Sequence, residues 1–229
     1  MSNKAEDYSA IVLSCLNLAA ALGFPEIGAF VAIASPLLQR IFTRAFIMVA
    51  RGNVSDIGRA RLGVTYQTVV EEYNSRCEGD GGLNDSFLPS IGSSLYTKAD
   101  EIVESTLWNV VYDAESEKSI LYGQFLGRIP FLEHADFSRL FELLAILRQL
   151  TNDEVKLLHT LGDNVVHDFS SLESGVHKGN SIDDAYQFGR LLHLKSLGLI
   201  IQQAPFFVGA SLGRVRITSL GIDLLNCLG

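Results

Sequence analysis

The side chains of this 229-residue chain that could do chemistry are five histidines (His134, His159, His167, His177, His193), three cysteines and several acid pairs. A zinc metalloprotease needs two histidines one helical turn apart with a glutamate between them, and no H-E-x-x-H occurs. His167 and His177 bracket one loop without a third ligand, so they read as exposed loop histidines. Cys15, Cys77 and Cys227 lie far apart, form no C-x-x-C pair and are odd in number. They read as small buried hydrophobes in a reducing compartment. Cys15 sits in an apolar run, a setting that suppresses the thiolate a nucleophile needs. No strand-to-helix turn carries the G-x-S-x-G of a serine hydrolase, since Gly209 to Gly213 lies between two β-type runs. Gly79 to Gly82 lacks the lysine and the preceding strand of a phosphate loop and reads as a turn. Asp80, Asn84 and Asp85 lack calcium-loop spacing and a closing glutamate. Glu71-Glu72 and Glu115/Glu117 read as solvated helix faces. The chain is expected to be no enzyme: no catalytic residue, no cofactor, no metal site and no evident small-molecule substrate.

Nucleic acid is the next candidate, and it rests on four cations, Arg190, Lys195, Arg214 and Arg216. Arg190 and Lys195 fall on one predicted helix, Arg214 and Arg216 in a β-type run. That is the distribution of a recognition helix and its wing. Charge argues the other way. The chain carries 18 Lys/Arg against 26 Asp/Glu, net -8, with a pI near 5.1. Residues 151–229 hold six and eight of these, net -2, so the acidity is not confined to the other half. Phosphate affinity comes mainly from Lys and Arg. Asp183 and Asp184 also occupy the helix end that usually lies nearest the bases.

The elements that must position these residues come in two blocks. Residues 1–150 read as a helical body that opens with an apolar helical hairpin over about 8–50. Glu26 is the only charged side chain from Ala10 to Gln39. Gly23-Phe24-Pro25-Glu26 breaks that run, because Pro25 lacks a donor and disfavours helix at Phe24. The pieces Tyr8–Leu22 and Ile27–Val49 read as helices, with Pro36 a possible kink. The first is shorter than the roughly 18–20 residues needed to cross a bilayer. Three readings stay open: a buried hairpin core, a membrane-inserting or interfacial hairpin, and an oligomerisation surface. The surface such a hairpin would offer to a membrane or partner is Leu13, Leu16, Phe24, Ile27, Phe30, Ile33, Leu37 and Leu38. The N-terminus lacks a signal-peptide pattern, which predicts a cytoplasmic protein with membrane association left open.

Further helices are predicted over Arg59–Arg76 (Leu62, Tyr66, Val69, Val70, Tyr73 inward), Ser94 to about Ala114, Glu115–Leu126 and Asp136–Leu150. Residues 151–229 then read as a winged-helix-like unit with a short two-stranded wing. Thr151 and Glu154 form a capping-box pattern ahead of Val155, Leu157, Leu158 and Leu161. A polar loop, Asp168–Asn180, precedes a helix carrying Tyr186, Phe188, Leu191, Leu192 and Leu194. Leu199-Ile200-Ile201 and Arg214–Ile217 are the predicted strands, and Thr218 opens the last helix.

Three segments of this unit, Leu150–Leu158, Leu194–Ile200 and Ile217–Gly221, resemble the C-terminal part of the Abi-alpha group of bacterial abortive-infection-type proteins. That group has a helical N-terminal body ahead of a similar ending: helix, leucine-glycine turn, strand, threonine-x-leucine-glycine helix. The resemblance covers about 80 residues and brings no catalytic residues with it. It implies a prokaryotic protein with a phage-defence or toxin-like role, and no particular activity. The expectation is a mainly α, non-enzymatic interaction or effector protein, acting through protein association or membrane contact of the hairpin. A winged-helix transcriptional regulator and a structural subunit of a larger assembly are the alternatives.

Overall fold

The computed structural model describes residues 36–52, 54–77, 97–132, 136–162, 166–169, 182–203 and 214–229. Among them the protein is mainly helical, with one small three-stranded antiparallel sheet. The chain divides into two compact units, Met1–Leu144 and Ala145–Gly229, and the division falls inside a helix, Phe137–Gln149.

The first unit contains α1 (Pro36–Ala50), α2 (Asp56–Cys77), α3 (Lys98–Tyr112), α4 (Lys118–Arg128) and a 3-10 turn, Ile129–Phe131. The expected hairpin lies outside the described residues except for α1. There Leu38, Ile41, Phe42, Ala45 and Met48 are buried at helical spacing. On α2, Leu62, Tyr66, Val69 and Tyr73 are buried as their period predicts, while Val70 is half-buried. Helix α3 begins at Lys98, later than the predicted Ser94. Thr97 is its cap: the Thr97 side chain accepts from the Asp100 amide, and Asp100 accepts from the Thr97 amide.

The tightest joint of this unit is α2 on α4, and two glycines make it possible. A Cβ on Gly123 would lie 2.6 Å from Thr68 Cβ and 2.7 Å from the Thr65 carbonyl oxygen. One on Gly127 would lie 2.7 Å from Glu72 Cβ. The helix backbones therefore meet with no side chain between them, and neighbouring polar groups close the seam. Thr65 donates to the Ser119 carbonyl at 2.9 Å. Arg128 grips Glu72 with two bonds of 2.8 and 2.9 Å. Glu72 is thus an interhelical anchor and not part of a solvated face; only Glu71 is exposed. Predicted as nearly continuous, α3 and α4 are separated by a corner at 113–117. There Arg61 of α2 donates to the carbonyls of Val111, Asp113 and Ala114. Lys118 Nζ and the Tyr122 hydroxyl both reach Asp113 Oδ2 at 2.7 Å.

Helix α5 (Phe137–Gln149) buries Leu140, Leu143, Leu144, Ile146 and Leu147, followed by buried Leu150. Phe137 and Phe141 of the same helix are half-buried.

The second unit runs α6 (Asn152–Thr160), β1 (His167–Asp168), α7 (Ile182–Ser196), β2 (Ile200–Gln203), β3 (Arg214–Ile217) and α8 (Ser219–Leu228). The Thr151–Glu154 capping box is present, with Val155, Leu158 and Leu161 buried. Strand order is β1-β3-β2, all antiparallel, with Ile200 opposite Ile217, Gln202 opposite Val215, and His167 opposite Val215. Strand β1 is an addition to the two predicted strands. It takes Asp168 out of the expected polar loop, and its His167 is half-buried with Nε2 enclosed and unbonded. His167 is therefore a strand residue, not an exposed loop histidine. His177 lies outside the described residues.

Helix α7 stops at Gly198, whose φ of +73° is the left-handed conformation that glycine adopts without strain. The Leu199 amide bonds the Leu194 carbonyl and the Gly198 amide bonds that of Lys195, so the orphan carbonyls of the last turn are satisfied. The Leu199 carbonyl in turn receives the Thr218 amide at 2.9 Å, and the Thr218 hydroxyl donates to the Gly198 carbonyl at 2.7 Å. A Cβ on Gly221 would lie 2.5 Å from the Leu199 oxygen. The leucine-glycine turn and the threonine-x-leucine-glycine start are therefore two halves of one joint. Their work is architectural.

Candidate functional site

The second unit holds four of the twelve residues singled out from the sequence, and its geometry decides what they can do. Glu154 is buried, because its carboxylate closes the cap of α6. Its other oxygen, Oε1, lies 2.7 Å from His193 Nδ1 on α7. One residue earlier, Asp153 meets Arg190 at 2.6 Å. Two acid–base pairs side by side thus clasp α6 to α7, and the Arg190 guanidinium is spent on the clasp. Lys195 donates to Gln202 Oε1 on β2 at 2.8 Å.

Arg214 and Arg216 follow from strand parity. Successive β residues point to opposite faces. Val215 and Ile217 are buried and Arg214 and Arg216 are exposed, so both arginines stand on the outer face of the sheet. Gln202, which Lys195 holds, is opposite Val215, in register with the inner face. Arg214 also lies 3.9 Å from Asp168. The four cations therefore split two ways: two tied into helix and strand contacts, two on the outer sheet face.

What α7 does offer is apolar. Leu191 and Leu194 are fully buried, whereas Tyr186 and Leu192 of the same helix are exposed. Ile182 at 77% and Tyr186 at 67% exposure are one helical turn apart, and a Cβ on Gly189, a further turn along, would meet nothing within 4 Å. Asp183 and Asp184 occupy the same first turn. Ile201 on β2 is exposed as well, opposite Arg216. Sequence reasoning missed this stripe because α7 has apolar residues on several sides, so periodicity alone could not say which would be covered. It also missed the clasp, although the capping-box glutamate was a readable sign that a carboxylate would be held in place.

Of the hairpin residues, Leu13, Leu16, Phe24, Ile27, Phe30 and Ile33 lie outside the described residues. Leu37 lies in α1, and Leu38 is buried there at 1% exposure, part of the first unit's core. No helix among the described residues is long and apolar enough to cross a membrane. Among the described residues, no group of three or more His, Cys, Asp or Glu side chains is placed to hold a metal ion. The string Gly209-Ala210-Ser211-Leu212-Gly213 lies outside the described residues.

Comparison with family models, with curated proteins and with solved structures finds no match to this chain.

Proposed function

We propose that this is a non-enzymatic interaction or effector protein whose C-terminal unit is winged-helix-like and touches proteins in preference to nucleic acid. The observation that carries the reading is on α7. The exposed side of the helix that would read DNA presents Ile182 and Tyr186 beside Asp183, while Arg190 and Lys195 are engaged within the unit. Apolar and aromatic side chains of this kind are what protein interfaces concentrate, and acidic side chains are repelled by a phosphate backbone. The winged-helix assignment is supported by the order α6-β1-α7-β2-β3-α8 and by the central position of β3. Fold alone does not fix function. The setting in bacterial phage defence rests on the Abi-alpha resemblance of the three C-terminal segments.

A DNA-binding regulator is the second reading, favoured by one observation: Arg214 and Arg216 both stand exposed on the same sheet face. A phage challenge of bacteria expressing the full chain separates the two. The protein-contact reading expects Ile182→Ala with Tyr186→Ala to lower protection at least about tenfold in plating efficiency, as loss of an aromatic anchor does at interfaces. It expects Arg214→Glu with Arg216→Glu to leave protection intact. The reverse pattern transfers the reading to DNA, and no protection by the unaltered protein removes the defence setting.

A further inference from the structure

Helix α1 has no acidic side chain between Pro36 and Ala50, and its described charges, Arg40 and Arg44, lie one turn apart with Arg51 following on the same flank. Both arginines are spent on the start of α3. Arg40 Nε lies 3.2 Å from Asp100 Oδ1, and its Nη1 donates to Thr97 Oγ1 at 3.0 Å. Arg44 lies 3.7 Å from the same Asp100 oxygen and 3.6 Å from Glu104. Asp100 is also the capping-box acid of α3, so one buried carboxylate holds two helices. The apolar stripe of α1, Leu38 to Met48, is buried, with Phe42 edge-on to Tyr66 of α2 at 4.7 Å between centroids.

Two further facts distinguish α1 from an ordinary core helix. The interlocked pair of the unit is α2 with α4, through Gly123 and Gly127, and α1 has no part in that seam. The joint after α1 is Gly52, exposed, at φ +74°, with nothing within 4 Å of where a Cβ would stand. A left-handed glycine in open space can change its dihedrals without disturbing packing. The arginine side chains are 14% and 29% exposed, against 8% for Asp100 and 32% for Glu104, so the latch can be reached from solvent on its Arg44–Glu104 side.

We propose that α1 is a strap hinged at Gly52, whose Arg40 and Arg44 exchange Asp100 and Glu104 for the phosphates of an anionic lipid surface. This rests on the reading of the protein as one that acts by contact. Guanidinium recognises carboxylate and phosphate oxygens with the same paired N–H geometry, so the groups that latch the strap are the groups that would bind lipid. A basic amphipathic helix with an apolar stripe lies in the headgroup boundary, where both its faces are satisfied. Fifteen residues of helix reach about 22 Å, too short to span and long enough to lie flat. Without anionic lipid, the buried carboxylate and the Tyr66 seat keep the strap closed.

The test opens the latch from the side that leaves the arginines in place. Asp100→Asn keeps an oxygen for the Thr97 cap but loses the charge, and Glu104→Gln is its companion. In the full-length double variant, hydrogen exchange of α1 amides should rise at least about tenfold while α2 and α4 amides stay protected. Its cosedimentation should rise with phosphatidylglycerol vesicles and not with phosphatidylcholine vesicles. Adding Arg40→Gln and Arg44→Gln should keep exchange high and abolish cosedimentation. For the unaltered protein, phosphatidylglycerol vesicles alone should change α1 exchange. Exchange of α1 that rises only in step with α2 and α4 would overturn the proposal, as would equal binding to both vesicles or to neither. Ile182 and Tyr186 play no part in these readouts, so failure here leaves the protein-contact reading standing, and the converse holds.

Discussion

Asp113 shows how much a single side chain holds in this fold. Its carboxylate accepts from Lys118 and Tyr122 at 2.7 Å and from the Glu115 amide at 3.0 Å. Burial by itself pushes the carboxyl up. The hydrogen bonds from Lys118, the Glu115 amide and Tyr122, together with the Lys118 charge, outweigh it and hold Asp113 below its ordinary 3.8. A depressed carboxyl contributes stability above its unfolded-state pKa, and that stability is lost as pH falls through the folded value. Urea melts should therefore show the first unit losing stability as pH drops below the ordinary carboxylate range. Asp113→Asn should flatten that acid limb and cost about 3 kcal/mol at neutral pH, because Lys118 would be left buried without its nearest countercharge. An unchanged acid limb in the variant would show that other carboxylates govern it. Asp100 and Glu154 are also structural acids: each closes a capping box out of solvent, and each is also gripped by a base on another helix.

At the scale of elements, two glycine substitutions should move stability in opposite directions. Gly123→Ala drives a methyl into the Thr65 backbone and Thr68 Cβ, and overpacking of this kind costs about 2 kcal/mol or more. Gly189→Ala places a methyl in open space on a helix and should stabilise by about 0.5–1 kcal/mol. Thermal melts of both variants check the pair, and equal effects would mean that the α2–α4 seam is looser than its geometry. Strong periodicity made α5 and α6 legible in the sequence, and the Thr151–Glu154 box fixed the start of α6 correctly. Thr97-x-x-Asp100 is the same kind of signal, and it marks the cap of α3 three residues later than Ser94. Strand β1 is two residues long, too short for any alternation to show. The Gly123–Gly127 seam was invisible for another reason: one helix reveals small residues, but only its partner reveals that they are touched.

For the whole molecule, the balance of charge and the division into two units carry the functional argument. The net charge of -8 gives no general pull toward polyanions. Arg190 and Lys195 are engaged within the second unit, and Arg214 and Arg216 stand exposed on one sheet face. The candidate surfaces belong to different units: the apolar stripe of α7 in the second, the arginine-bearing strap α1 in the first. Each can be altered without touching the other. In the second unit the outline of the site was readable from the sequence, since α7 and the β2–β3 pair were expected where they are found. What the residues on them face was not, because exposure of Ile182 and Tyr186 and engagement of Arg190 depend on neighbours distant in sequence.

The most direct test of the claim that the C-terminal unit touches protein and not nucleic acid is fluorescence anisotropy with duplex DNA over a salt series. The full chain should show no saturable binding tighter than about 10 µM near physiological salt, and reversing Arg190, Lys195, Arg214 and Arg216 should change nothing. Submicromolar binding with a steep salt dependence that collapses on the same four reversals would contradict the account.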